Sequence, residues 1–360
     1  MAGARRSRHP AELTAPRVAF ECEVLPGLEP FCAAEIRRVL GPRARLSVAA
    51  TQGAVRFSWP GPPRALLGLR TAVAAYLLAS VPGRRPSTLL GDTTLFDQVD
   101  TVRRLHPPGS FRSFRLSAPG RDSAALRRLR QQLTERTGLD HDPDEGELYL
   151  RIRRSAGGEG WEALTRLSPR PLSARAWRVV NIAGALNATI AAAMVELSRP
   201  RPGDRVLNLL CGSGTILVER LARRRAALAA GCDLDPAALA ASGANLEAAG
   251  LAGSVALARM DATALGFGGA SFDVLLADLP YGHRMGSHQG NAVLYPAVLA
   301  EAARVTRPGG AMLTVTHELR LFQRCLWADA RDWRVERTVQ VYQKGHHPVV
   351  YLLRRTGGTW

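Results

Sequence analysis

The segment FDVLLADLPYGHRMG holds the residue types best suited to do chemistry. Phe272 to Ala277 reads as a buried apolar strand, and it stops abruptly in Asp278, Leu279, Pro280 and Tyr281. Such an ending sets a carboxylate, a rigid turn carbonyl and a flat ring at the carboxyl edge of a sheet. Open α/β folds bind their ligands at that edge. The first two groups accept N–H donors, and the ring can stack on a planar partner. A solvated acid at a plain strand end is the blander reading of these four residues alone, and the residues upstream decide between the two.

Upstream stands RVLNLLCGSGTILVERLAR, a strand over Arg205–Leu210, a small-residue turn and a helix from Thr215 onward. Glycines in such a turn let a ligand touch backbone, and the helix start offers free N–H groups. Candidate cofactor contacts are therefore Cys211, Gly212, Ser213, Gly214 and Thr215, with Asn208 in the strand behind them. The turn is not the dinucleotide G-x-G-x-x-G, because Leu217 stands where a third glycine would be, and no Gly-Lys-Ser/Thr of a P-loop follows. A second strand, Ala226–Asp233, ends in Asp233 and Leu234, where a carboxylate can hold a ribose diol. A third, Val255–Met260, ends in Asp261 and Ala262, where a carboxylate can accept from an adenine amino group. Thr306-Arg307-Pro308-Gly309-Gly310 leads into a fifth strand, Ala311–Thr316, and Trp333–Gln343 with His347–Arg355 reads as a closing hairpin.

That ordered series resembles the class I S-adenosylmethionine-dependent methyltransferases over roughly residues 180–355. With Asp-Leu-Pro-Tyr it resembles the amino-methyltransferase group, whose turn reads Asn, Asp or Ser, then Pro-Pro, then Tyr or Phe. The resemblance implies S-adenosyl-L-methionine as cofactor and an exocyclic amine as acceptor. Asp278 and the Pro280 carbonyl would take the amine's protons, and Tyr281 would stack on the base. Two positions depart from the pattern. Asn208 stands where the family has Asp, which removes an ion pair to the cofactor's amine, and Leu279 replaces a proline.

The elements that must present a substrate lie ahead of this domain. VAFECEVLPGLEPFCAAEIRRVLG gives an alternating strand, the turn Leu25-Pro26-Gly27 and an amphipathic helix; Gly53–Trp59 gives a second strand and Ala65–Ser80 a second helix. FRSFRLSA and ELYLRIR read as strands flanking a helix capped by Asp122 and stopped by Gly138. Arg112, Arg115, Arg127, Arg128, Arg151 and Arg153 cluster there and are candidate RNA contacts. ECEVLPGLEPFCAAEI and the later FRSFRL, LRRLRQQLTERTG and GELYLRIRR resemble the THUMP domain and the ferredoxin-like domain preceding it in RNA-modifying enzymes. In that family the region grips the end of a structured RNA. The combination is similar to the tRNA guanine-N2 methyltransferases, most closely the type acting on acceptor-stem guanosine 6.

The expected fold is thus an α+β N-terminal region, ferredoxin-like plus THUMP, followed by an α/β Rossmann-like class I methyltransferase domain. The expected divisions are a basic tail at 1–16, a ferredoxin-like domain at 17–84 and a THUMP domain at 85–155. A linker at 156–178 then leads to the methyltransferase domain at 179–360. Bulk properties fit a polyanion partner such as tRNA. The net charge is +17 and divides almost evenly between the halves, and Lys344 is the single lysine among arginines. The five cysteines are scattered without a C-x-x-C pair, which argues against a metal site and for a reducing, cytoplasmic setting. The apolar runs Leu66–Val81 and Ile182–Leu197 are interrupted by Arg70 or by Asn187 and Thr189, so no membrane span is expected, and the N-terminus lacks the apolar core of a secretory signal. The alternatives are another THUMP-type RNA guanine-N2 methyltransferase acting at a different tRNA position or on rRNA, a degenerate, noncatalytic RNA-binding relative, and a DNA adenine-N6 enzyme.

Overall fold

The computed structural model describes residues 18–46, 52–120, 123–156, 158–281, 287–328 and 331–357. The tail at 1–16 and the Asp122 cap lie outside them. The first half builds one eight-stranded sheet from β1 (Val18–Glu23), β2 (Arg45–Leu46), β3 (Ala54–Trp59), β4 (Ala74–Pro82), β5 (Ser113–Ser117), β6 (Asp140–His141), β7 (Leu148–Arg154) and β8 (Gly160–Arg166). The strands lie in the order β2-β3-β1-β4-β8-β7-β5-β6, with helices α1 (Glu29–Leu40), α2 (Thr94–Arg104) and α3 (Ala124–Thr137). Phe20, Phe57, Ile36, Val99 and Leu129, all buried, belong to one core between helices and sheet. The alternating strands form because their apolar residues point to that core at a period of two.

Three expectations change here. Ala65–Ser80 is not a helix: a 3-10 segment at Pro63–Gly68 precedes β4, which pairs with both β1 and β8. Ala-Ala-Tyr-Leu-Leu-Ala-Ser-Val has no polar face, so it suits a strand with neighbours on both sides as well as it suits a helix. The stretch 156–178 is not all linker, because it contains β8, a central strand paired with β4 and β7. The two expected N-terminal domains therefore share one sheet. The α3 cap is Ser123, whose hydroxyl accepts from the Leu126 amide, and Gly138 in the left-handed region ends the helix.

The second half is a seven-stranded sheet of β9 (Arg205–Leu209), β10 (Leu228–Asp233), β11 (Ala256–Arg259), β12 (Phe272–Asp278), β13 (Thr306–Thr316), β14 (Trp333–Gln340) and β15 (Val349–Arg355). Its order is β11-β10-β9-β12-β13-β15-β14, parallel up to β13, with β15 antiparallel to both β13 and β14. Helices α4 (Ala188–Ser198), α5 (Thr215–Arg223), α6 (Pro236–Ala248), α7 (His288–Val305) and α8 (Leu319–Ala328) accompany it. This is the class I methyltransferase-like α/β arrangement. Helix α4 begins at Ala188, where the Asn187 side chain caps the Thr189 amide. No described helix is long and apolar enough to cross a membrane, and all five cysteines are buried and outside any disulfide.

The halves are joined by packing. Leu28 and Phe31 enter a buried cluster with Met194, Val341 and Val350, and burying Leu28 alone is worth about 2 kcal/mol. The Tyr342 amide donates to the Pro26 carbonyl at 2.9 Å. Glu219 of α5, almost wholly buried, takes Arg70 Nε at 2.6 Å and Arg175 Nε at 2.8 Å. Gly27, at φ 99°, sits so close that an added Cβ would lie 2.0 Å from the Gln340 carbonyl oxygen. The backbone geometry and the contact both exclude a side chain. A Gly27→Ala protein is expected to lose about 2 kcal/mol of stability, read as a thermal midpoint several degrees lower; an unchanged midpoint would show that this turn does not hold the halves together.

Candidate functional site

Two adjacent parallel strands build the site. β12 pairs with β9 from Val274↔Val206 to Ala277↔Leu209, so Asp278 and the glycine turn emerge side by side. β9 also pairs with β10, and at such a reversal of strand order the carboxyl ends open a crevice. Cys211, Gly212, Ser213, Thr215, Asp233, Asp278 and Pro280 line it together, as the sequence led one to expect. Its other wall, Ile182, Gly184, Ala185 and Leu186, belongs to the loop before α4 and is not among the residues expected from the sequence.

The turn is held from several sides. Leu210, Gly212 and Gly214 all have positive φ (51°, 53° and 76°). For Leu210 this costs about 1 kcal/mol. The Gly212 amide donates to Asp233 Oδ2 at 2.9 Å, and the Asp235 amide to Asp233 Oδ1 at 3.0 Å, so each carboxylate oxygen keeps a lone pair for a hydroxyl. A Cβ on Gly214 would fall 2.4 Å from Ser242 Oγ. Asn245 of α6 ties the far wall to the turn, accepting from the Val179 and Val180 amides and donating to the Ser213 carbonyl at 3.0 Å.

Asn208 is fully buried behind the turn, and its amide nitrogen donates to the Leu209 and Leu276 carbonyls at 3.0 Å each. Its Oδ1, and the Ser213 hydroxyl, have no partner among the described residues. Two buried polar atoms left to accept or donate at a glycine turn suit a ligand carrying an amine and a carboxylate. The remaining contacts lie further out: Leu234 is 56% exposed, Asp261 is exposed, and Ala262 is buried. Asp261 accepts from the Thr263 amide at 2.8 Å and hydroxyl at 2.7 Å, and these bonds hold its carboxyl below the usual range. Burial pushes the Cys211 thiol up to about 12 and Cys232 up to about 11, so neither is a thiolate. Among the described residues no three or more His, Cys, Asp and Glu gather as a metal site.

Asp278 is the anomaly. The residue is half-buried and lines the crevice, its carboxyl makes no hydrogen bond to a described residue, and desolvation pushes it up to about 7. The Pro280 carbonyl is differently placed from the expectation. It already accepts from Tyr295 Oη at 2.7 Å and Asn291 Nδ2 at 3.0 Å, so both lone pairs are engaged. Tyr295, in turn, meets Thr316 Oγ1 at 3.0 Å, and both residues are buried on α7 and β13. The preceding carbonyl, of Leu279, accepts nothing from the described residues, while its amide donates to the Val315 carbonyl at 3.0 Å. Tyr281 packs against His317, ring centroids 4.0 Å apart at 35°. None of Asn291, Tyr295 or His317 carries a sequence signal, since each acts across a long separation.

The arginines of the first half separate into two groups. Arg153 pairs with Glu21 and with Glu162 at 2.8 Å, Arg56 joins the same two acids, and Arg151 meets Glu23 at 2.9 Å over the Tyr76 and Tyr149 rings. Their charge is compensated inside the sheet's face. Arg112, 84% exposed, holds Glu147 at 2.8 Å, and Arg115 lies over Tyr149. Arg127 and Arg128 are exposed on α3.

Residues 175–349 match the family model described as RMKL-like, methyltransferase domain. That segment of the chain is a methyltransferase domain of this family. A tRNA (guanine(6)-N2)-methyltransferase of Thermus thermophilus is 29% identical over 349 residues, covering 93% of this chain and 99% of that protein. The crystal structure of TrmN from Thermus thermophilus superimposes with a TM-score of 0.75 at 27% identity, covering 94% of this chain and 99% of the other. The mouse tRNA (guanine(6)-N(2))-methyltransferase THUMP3 is 32% identical over 185 residues, covering 48% of this chain. The chain spans about a third of the length of such mammalian relatives, 36% for the mouse protein. In the RMKL-like domain the desolvated Asp278 carboxyl should titrate near 7 when followed by carbon-detected NMR, well apart from exposed carboxylates near about 4. A midpoint near 4 would mean that water reaches it freely.

Proposed function

We propose that this protein transfers a methyl group from S-adenosyl-L-methionine to the exocyclic N2 of a guanosine in tRNA, guanosine 6 of the acceptor stem being the target. The observation that carries the reading is the Asp278 carboxyl at the end of β12, without a hydrogen bond to any described residue and beside the glycine turn that ends the next strand. Support comes from two relatives bearing that activity in their names, one of them similar over nearly the whole chain.

The residues present fit the cofactor. The backbone of Gly212 to Gly214, the Ser213 hydroxyl and Asn208 Oδ1 would meet its amino-acid end, Asp233 its ribose, and Leu234, Asp261 and Ala262 its adenine. When bound it supplies an electrophilic methyl on a sulfonium. A guanine N2 is a weak nucleophile because its lone pair is delocalised into the ring, so the protein must hold the nitrogen in place and take up its protons. Asp278 accepts one N–H. With the Pro280 carbonyl engaged by Tyr295 and Asn291, the Leu279 carbonyl is the second acceptor, and Pro280 serves to fix the turn. Tyr281 stacks on the base, which must first leave its helix at a cost of a few kcal/mol. Orientation and fixed dipoles supply the acceleration.

The first half is read as the RNA-gripping part, a ferredoxin-like unit and a THUMP unit, with β8 assigned to the latter and not to the linker. Arg112, Arg127 and Arg128, which are exposed, and the half-buried Arg115 are the better candidates for phosphates, because Arg151 and Arg153 are less accessible and neutralise Glu21, Glu23 and Glu162. Buried cysteines that form no disulfide suit a cytoplasmic protein.

Transfer of labelled methyl to tRNA transcripts, with guanosine 6 replaced in one of them, tests the assignment: the replaced transcript should stay unlabelled, and equal labelling removes the position. An Asp278→Ala protein should bind cofactor normally in a calorimeter yet lose at least about a hundredfold in kcat; retained turnover would overturn the role of Asp278. Below about pH 7 the carboxyl is protonated and loses an acceptor, so kcat/KM should fall about tenfold per unit of acid. Asp278→Asn, which accepts without titrating, should flatten that limb. Tyr295→Phe removes one bond to the Pro280 carbonyl and should lower kcat about tenfold while leaving cofactor affinity intact.

A further inference from the structure

The turn between β14 and β15 carries features that the catalytic reading leaves unused. Val341 and Gln343 close it, with Gln343 and His346 exchanging backbone bonds at 2.9 Å in both directions. The two residues at its tip, Lys344 and Gly345, both have positive φ (47° and 82°), the geometry of a tight hairpin turn that favours Asn-Gly or Gly-Gly. A lysine held there is strained by about 1 kcal/mol, and it is the chain's single lysine. Around it stand Tyr342, 44% exposed, and the exposed His346 and His347. Tyr342 and His347 pack ring to ring at 4.9 Å.

The turn also occupies a particular place. His346 meets His317 edge-on at 5.7 Å, and His317 packs on Tyr281 at 4.0 Å, so rings run without a break from the exposed turn to the catalytic turn. On its other side the Tyr342 amide is bonded to Pro26 of the first half. The surface therefore bridges the RNA-gripping half and the active site. Burial and the neighbouring His346 hold the His317 ring below its ordinary pKa, so it stays neutral and stacks without charge.

Resting on the reading above that the substrate is RNA, we propose that Tyr342, His346 and His347 form a base-stacking surface for nucleotides beside the target that lose their pairing when it leaves the acceptor stem. Lys344 holds a phosphate of that same segment. Aromatic rings beside a cation are what a sequence-tolerant grip on single-stranded RNA requires, since every base has a face to stack and every nucleotide a phosphate. A strained lysine at the tip, where asparagine would relax the backbone, fits a residue kept for its charge.

Binding of a fluorescein-labelled tRNA transcript and its methylation test this. Tyr342→Ala/His346→Ala should raise KM for the RNA at least tenfold, which is about 1.4 kcal/mol, with kcat within about twofold and S-adenosylhomocysteine binding unchanged. Tyr342→Phe should behave as the wild type. Lys344→Asn should raise the thermal midpoint yet weaken RNA binding, and lower the slope of log affinity against log salt by about one. A merely structural turn would gain stability from Lys344→Asn with RNA affinity unmoved, and that result overturns the proposal. A wild type that methylates no RNA sinks the preceding assignment instead. The labelled-RNA Kd still decides this one, because equal values for the wild type, the double variant and Lys344→Asn reject the surface.

Discussion

Everything at the site depends on the parallel pairing of β9 with β12. Four residue pairs in register, Val206↔Val274 to Leu209↔Ala277, bring out a glycine turn and a carboxylate at the same level of the sheet. Because side chains alternate along a strand, a slip of one residue would invert every side chain of one strand. Leu207, Leu209, Leu275 and Ala277, all buried in one cluster, oppose such a slip. Asn208 adds a cross-tie by donating to the Leu276 carbonyl. The fold thus fixes the distance between a cofactor's place and an acceptor's place before any ligand arrives, and preorganisation of that kind is what aimed dipoles need.

Around that pair, the protein spends its polar groups unequally. Hydrogen bonds tie Pro280 to Tyr295 and Asn291, and Tyr295 to Thr316, which holds the turn in place. Asp278, two residues before Pro280, is left with desolvation and no hydrogen bond to a described residue. A rigid turn holding an unsatisfied acid is a small store of free energy that is released when a donor enters. Asn208 Oδ1 and Ser213 Oγ repeat the pattern at the glycine turn. The unsatisfied groups lie where ligands are inferred to bind.

Much of this was legible in the sequence. Apolar runs ending in Asp233, Asp261 and Asp278 show the strand ends directly, and glycine spacing marks the turn, because both depend on local chemistry. What was hidden depends on distant partners. β4 reads as helix because an apolar run without a polar face fits either structure, and only its position between β1 and β8 decides. The strand Gly160–Arg166 hides beside a glycine-rich loop that looks like a joint. Arg151 and Arg153 look like phosphate contacts until Glu23, Glu21 and Glu162 are brought against them across the sheet. Likewise, nothing near Pro280 reveals that Tyr295 has taken its carbonyl.

The central place of β8 has a consequence for how the chain comes to be folded. This strand is the last of the first sheet to be synthesised, yet it lies between β4 and β7, so on one side it holds β2, β3, β1 and β4 and on the other β7, β5 and β6. Until residue 166 leaves the ribosome the two sub-sheets have no strand to join them, and each exposes an unpaired edge. Pairing β4 with β8 closes a loop from Pro82 to Gly160, a non-local step of the kind that slows folding. The vulnerable interval in this protein's biogenesis therefore falls at the end of its first half, before any residue of the methyl-transfer domain can protect it.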